Sequence, residues 1–150
     1  MRAMKRRHFF RQAAGLALLP LAGTLLGGCE KDPNSGPVDV KWDRQVCERC
    51  SMILSDTRYA AQIRDPQGTV HYYDDFGCAI FDLRKQGWDE AKIEFWVTDY
   101  KTGRWTSAYK ARYVPERTTP MGYGLGATTV PNPKDMGYAD AKAAILIRDK

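Results

Sequence analysis

The chain has 150 residues, with 23 Lys+Arg against 18 Asp+Glu, four cysteines and a formal charge of +5. That excess is local: five basic residues and no acid fall within residues 1–28, and beyond them the two signs balance at 18 each. The balanced remainder excludes a basic nucleic-acid footprint, and a single histidine beyond residue 28, His71, leaves general acid–base catalysis little to work with.

Arg2, Lys5, Arg6, Arg7 and Arg11 form a basic start, followed by an apolar run of 14 residues from Gly15 to Gly28. The run is too short to span a bilayer and carries Pro20, so residues 1–28 are expected to be a cleaved signal peptide. Leu26-Gly27-Gly28-Cys29 resembles a lipobox, which makes Cys29 the lipidated first residue of a mature chain. Arg6-Arg7-His8-Phe9-Phe10 resembles a twin-arginine export motif, with an ordinary basic leader as the alternative. Glu30 after the cysteine favours the outer membrane. Residues 29–45 are read as the lipidated N-terminus and a flexible tether, polar and broken by Pro33, Gly36 and Pro37. Residues 46–150 are then one domain, expected to be monomeric.

Within it, Thr57–Arg64 alternates as a half-buried strand, and Asp65-Pro66-Gln67-Gly68 is a turn leading to a second strand over Thr69–Tyr73. Asp74-Asp75 can cap a helix starting near Phe76, whose apolar face is Phe76, Ala79, Ile80 and Leu83. Gly87 is placed to end it, after Arg84 and Lys85. Ile93–Thr98 alternates again, completing a β-β-α-β unit. A turn spans Asp99–Arg104, Trp105–Val114 has strand-like stretches, Gly122–Val130 allows a further strand, and Tyr138–Ile147 reads as a helix. The second half repeats β-β-α without an obvious last strand. The expected class is α+β, with a largely antiparallel sheet and helices on one side.

The chemistry concentrates at residues 47–52, where Cys47, Cys50 and Met52 place two thiols and a thioether within six residues. Cys78 joins them as the third thiol once Cys29 is assigned to lipid. In an oxidising compartment one disulfide and one free thiol is the plain expectation. A Cys47–Cys50 redox pair would need a preceding buried strand, which the sequence lacks. Haem attachment would need histidine where Ser51 stands. Zinc is served by Cys47, Cys50, Cys78 and His71 as a Cys3His set. Methionine favours Cu(I), since thioethers suit that ion and are rare at zinc. In an extended chain Cys50 and Met52, two residues apart, project to one side. Met121, bracketed by Pro120 and Gly122, is a further thioether in a turn. Cys78 falls in the first turn of the first helix, where a thiol ionises more easily. His71 sits on the second strand, read mainly as a hydrogen-bonded residue with a secondary metal role.

Together these pieces resemble the NosL family of copper-binding periplasmic lipoproteins. The resemblance lies in CERCSM at 47–52, YAAQI at 59–63, YYDDFGCAIFDL at 72–83, VTDYKTGRWTSAYKARYV at 97–114 and TPMGYG at 119–124. It implies a fold of two ββαβ units, the second incomplete here, and Cu(I) ligands at Cys50, Met52 and Met121, with Cys47 joining them. It further implies a non-enzymatic chaperone that supplies copper to nitrous oxide reductase. Ala79, where family members often carry Met, and Gly126-Ala127-Thr128, which lacks an aromatic, depart from the pattern. The rival readings are a thiol–disulfide reductant using Cys47 and Cys50, and a structural zinc domain.

Overall fold

The computed structural model describes residue 32 and residues 34–149. The signal-peptide assignment to residues 1–28 and the lipidation of Cys29 lie outside the described residues. Among the described residues, no helix is long and apolar enough to cross a membrane.

The first half forms the expected ββαβ unit. β1 (Ala61–Arg64) and β2 (Val70–Tyr73) pair antiparallel around the Asp65–Thr69 turn. α1 (Phe76–Gln86) follows, and β3 (Glu94–Thr98) returns beside β1. β4 (Trp105–Ser107) adds to the far side of β3, so the sheet order is β2-β1-β3-β4. β1 begins at Ala61 instead of Thr57 because Asp56 accepts from the Arg58 amide at 3.0 Å and pairs with its guanidinium at 2.7 Å. That local Asx turn diverts residues 57–59 from the ladder.

Residues before the domain are not loose. Ser35 Oγ and the Gly36 amide both donate to Glu94 at 2.7 Å, and Gln62 exchanges two hydrogen bonds with the backbone of Val38. Val40 and Trp42 pack against the core. These contacts hold Ser35, Gly36, Val38, Val40 and Trp42, within the stretch read as a tether, against the domain. This belt also explains why Gln62, at a polar position of the strand alternation, is buried.

Asp75 caps α1 by accepting from the Gly77 amide at 3.0 Å, and Gly87 ends it at φ 66 with its amide on the Leu83 carbonyl. The predicted face is buried, but so are Gly77, Cys78, Phe81 and Asp82, so the first two turns of α1 are enclosed on every side. Phe76 is the hub, with ring centroids 4.4 Å from Tyr113 and 5.9 Å from Phe95. Burial of each such aromatic stabilises the fold by about 1.5–3 kcal/mol.

The second half contributes β5 (Arg112–Val114), paired antiparallel with β6 (Gly126–Thr128) in a two-stranded sheet, and α2 (Tyr138–Leu146). Among the described residues, only a short 3-10 turn (Ile147–Asp149) follows α2, in keeping with an incomplete second unit. Buried Asp99 joins the halves: it holds the Lys101 and Thr102 amides of its own turn and accepts from Thr128 and Thr129. The result is an α+β domain of six mostly antiparallel strands and two helices.

Candidate metal centre

The sulfur segment is the tip of a narrow hairpin. Leu54 N donates to Gln45 O at 2.8 Å, Val46 bridges Ile53, and Cys47 N donates to Met52 O at 2.8 Å. Ser51 N closes the tip onto Cys47 O at 2.9 Å, with Ser51 itself at φ 63. A non-glycine residue there costs roughly 1–2 kcal/mol. The expectation of an extended Cys50–Met52 stretch is thus corrected: the chain reverses at Ser51. The Glu48 amide then docks the tip on β2 through Tyr72 O at 3.0 Å.

This docking brings Cys47 and Cys50 against the Asp74-Asp75 corner and the first turn of α1. The sulfurs of Cys47, Cys50 and Cys78 and a carboxylate oxygen of Asp74 all lie within 4.8 Å of one another. Cys47 and Cys78 are buried, Cys50 is half-buried, and all three are free thiols. Cys50 Sγ lies 3.4 Å from both Asp74 oxygens. Cys47 is the acid of the group: a hydrogen bond from Cys78 lowers its pKa to about 6 against the opposing effect of burial. Cys78 is raised, chiefly because it donates to Cys47, and burial pushes Cys50 up to about 12. One thiolate beside two thiols suits an ion that displaces protons as it binds.

Met52 is 46% exposed and lines a cleft of about 670 Å³ with Asp74, Thr119 and Pro120. Met121 is half-buried and does not line that cleft; it follows Pro120 in the turn closed by Gly122 N on Thr119 O. Buried Asp75 ties this turn to α1: its Oδ2 accepts from Thr119 Oγ1 at 2.6 Å and from the Met121 amide at 3.2 Å, while Oδ1 caps the helix. Burial raises the pKa of Asp75 although these three donors pull the other way. Gly77 completes the seat, since a Cβ there would meet the Tyr123 ring at 2.2 Å.

His71 is placed elsewhere. Its Nδ1 meets Glu48 at 2.8 Å and its Nε2 meets Asp65 at 3.0 Å, so both ring nitrogens face carboxylates, and it is not in the thiol cluster. Burial lowers its pKa most strongly, but the two carboxylates together raise it above the ordinary value. The residue that sequence reasoning missed is Asp74, taken only as a helix cap. A signal was present: one N-cap needs one carboxylate, and two adjacent aspartates leave one over.

No protein-family profile and no curated protein sequence matches this chain. Among solved structures, its fold is similar to that of the copper chaperone NosL from Shewanella denitrificans, with a TM-score of 0.55 at 16% identity. The match covers 74% of this chain and 87% of that one.

Proposed function

We propose that this chain is a NosL-type carrier of Cu(I), tethered by lipid on Cys29 at the periplasmic face of the outer membrane. In this reading residues 1–28 direct export, and the protein is a monomer without catalytic activity of its own. It holds copper for transfer to a client metalloenzyme, nitrous oxide reductase in the first instance. The observation that carries the reading is the convergence of Cys47, Cys50 and Cys78 within 4.8 Å beside half-exposed Met52. Clustered thiols with a thioether at the rim match a soft monovalent ion. The likeness to a copper chaperone supports the same conclusion. Cys50, Met52 and Met121 are the ligands, with Cys47 as the fourth; a donor set at a cleft mouth lets a partner's ligand enter before the last one leaves.

The test is anaerobic competition against a Cu(I)-selective chromophoric chelator. Cys50→Ser, Met52→Leu and Met121→Leu are each expected to weaken binding at least about tenfold, ~1.4 kcal/mol. Unchanged affinity in the triple variant would sink the assigned site. Mixing the loaded chain with copper-free nitrous oxide reductase tests the client: activation that outpaces free copper at equal concentration is expected.

One observation favours a second reading, thiol–disulfide exchange: Cys47, with its pKa lowered to about 6, resembles an activated nucleophile. Its 1% exposure leaves a partner disulfide little access. Stoichiometric reduction of a disulfide substrate to two thiols, with formation of a Cys47–Cys50 disulfide and no need for copper, would establish that reading instead.

A further inference from the structure

Two arginines beside the candidate metal centre are held in place yet meet no carboxylate. Arg49, between Cys47 and Cys50 on the hairpin tip, is exposed, and its guanidinium carbon lies 4.3 Å from the centroid of the buried Phe81 ring. The Tyr123 ring is 5.5 Å from that of Phe81; burial raises its pKa and the charge of nearby Arg49 pulls it back. Exposed Arg148, in the 3-10 turn after α2, donates to the Tyr123 carbonyl at 2.6 Å and to the Gly122 carbonyl at 3.3 Å, just past Met121. Among the described residues, neither of these guanidiniums forms an ion pair. Arg84 of α1 shares the Phe81 ring, with its guanidinium carbon 5.1 Å from the centroid.

The neighbouring acids are engaged elsewhere. Glu48, next to Arg49, holds His71; buried Asp82 accepts from the Tyr73 hydroxyl at 2.7 Å; Asp75 serves the helix cap and the Met121 turn. Positive charge therefore gathers on one face of a chain whose signs balance beyond residue 28. A guanidinium seated over an aromatic ring keeps its N–H donors for the solvent side, in the planar fork that matches a carboxylate. Fixing the side chain beforehand reduces the entropy lost when a partner pairs with it. Each segment that carries a proposed Cu(I) donor has such a fork: Arg49 belongs to the tip of Cys50 and Met52, and Arg148 is fastened to the turn of Met121.

We propose that Arg49, Arg84 and Arg148 form a docking face for an acidic segment of the protein that receives the ion. That the partner is the receiving protein rests on the carrier reading above; the recognition of carboxylates does not. Carboxylates seated on the forks of Arg49 and Arg148 set the receiving donors opposite both the tip and the Met121 turn. Opposite charge also speeds the encounter, an effect that salt weakens. Lipid phosphates offer similar acceptors, but a bilayer on this face would cover the segments from which the ion has to leave.

The first experiment needs neither copper nor client. The full chain, reduced and isotope-labelled, is titrated with hexaglutamate and followed by nuclear magnetic resonance. Shifts are expected at the side-chain N–H signals of Arg49, Arg84 and Arg148 and at the amides around Tyr123, and they should vanish in about 0.5 M NaCl. An Arg49→Gln, Arg148→Gln double variant that melts like the wild type is expected to bind the peptide at least about tenfold more weakly. Shifts spread evenly over the other exposed lysines and arginines overturn the docking face, whatever the fold of the variant. So does a folded double variant that binds as tightly as the wild type. Vesicles of phosphatidylglycerol and phosphatidylethanolamine that move these signals where hexaglutamate does not overturn it in favour of lipid. In the second experiment the loaded chain is mixed with copper-free nitrous oxide reductase at low salt. The double variant should keep its Cu(I) affinity against a chelator and deliver at least about tenfold more slowly; equal rates overturn the role of this face in delivery. Wild-type delivery no faster than free copper refutes the client, and failure to bind Cu(I) refutes the carrier reading; both leave the hexaglutamate result standing.

Discussion

The two walls of the candidate metal centre are built differently. On the inner side stand Cys47 of the hairpin tip, Asp74 just after β2 and Cys78 in the first turn of α1, all nearly sealed from solvent. The proposed outer donors are Met52, 46% exposed on the hairpin tip, and half-buried Met121 in a Pro-Met-Gly turn. Donors fixed by helix and sheet ends select coordination geometry, whereas donors on turns can be reached by another protein. The device that couples the walls is Asp75, which caps the helix bearing Cys78 and holds the turn bearing Met121.

Breaking that coupling has the largest expected effect. Asp75→Ala strips acceptors from the Gly77 amide, the Thr119 hydroxyl and the Met121 amide at once. At about 1–2 kcal/mol for a lost cap, and more for the buried donors left unpaired, it should destabilise the fold by roughly 3 kcal/mol. Chemical denaturation measures this, and Cu(I) affinity should fall with it although no ligand is touched. A variant that loses stability but binds Cu(I) normally would mean that the Met121 turn is placed by something else.

Gly77→Ala tests the same seam from the packing side and should have an intermediate effect. The added methyl gains about 1 kcal/mol of helix propensity. It also meets the body of the Tyr123 ring at 2.2 Å, and overpacking of that kind costs about 1–3 kcal/mol. The net expectation is a melting temperature lowered by a few degrees, with the 119–125 segment displaced; an unchanged or higher melting temperature would show that Tyr123 moves freely.

The smallest effect is expected at the clasp beneath the inner wall. His71 joins Glu48 of the sulfur tip to Asp65 of the β1–β2 turn, and its pKa is raised in the folded chain. A raised value means stability that is fully present below the ordinary histidine pKa of about 6.5 and lost as pH climbs through the folded value. The gap in melting temperature between wild type and His71→Gln should therefore be widest near about pH 5.5 and narrow towards about pH 8. A gap independent of pH would make the clasp a matter of packing against Trp88, whose ring centroid lies 4.7 Å away.

Much of the first half was legible because its signals are local. Strand alternation, the Asp-Pro-Gln-Gly turn, the aspartate cap and Gly87 each act within a few residues, and each was realised near where expected, save the start of β1, which moved from Thr57 to Ala61. The enclosure of α1 on all sides was not legible, since Phe81 and Gly77 are covered by Tyr123 from a distant loop. The reversal at Ser51 was hidden for a related reason. Nothing in Cys-Ser-Met asks for a left-handed residue; the conformation is imposed by hydrogen bonds of the tip and its docking on Tyr72.

The sequence by itself determined the α+β class, the order of elements and a sulfur-rich segment suited to a soft metal. These depend on periodicity, turn chemistry and residue type, which neighbouring residues decide among themselves. Only the tertiary structure decided which donors meet. It carried Cys78 to the Cys47–Cys50 tip, added Asp74, and gave His71 to Glu48 and Asp65. The physical reason is that a metal centre is a set of distances between chain segments, and those distances are set by how the tip, the end of β2 and the start of α1 pack against one another.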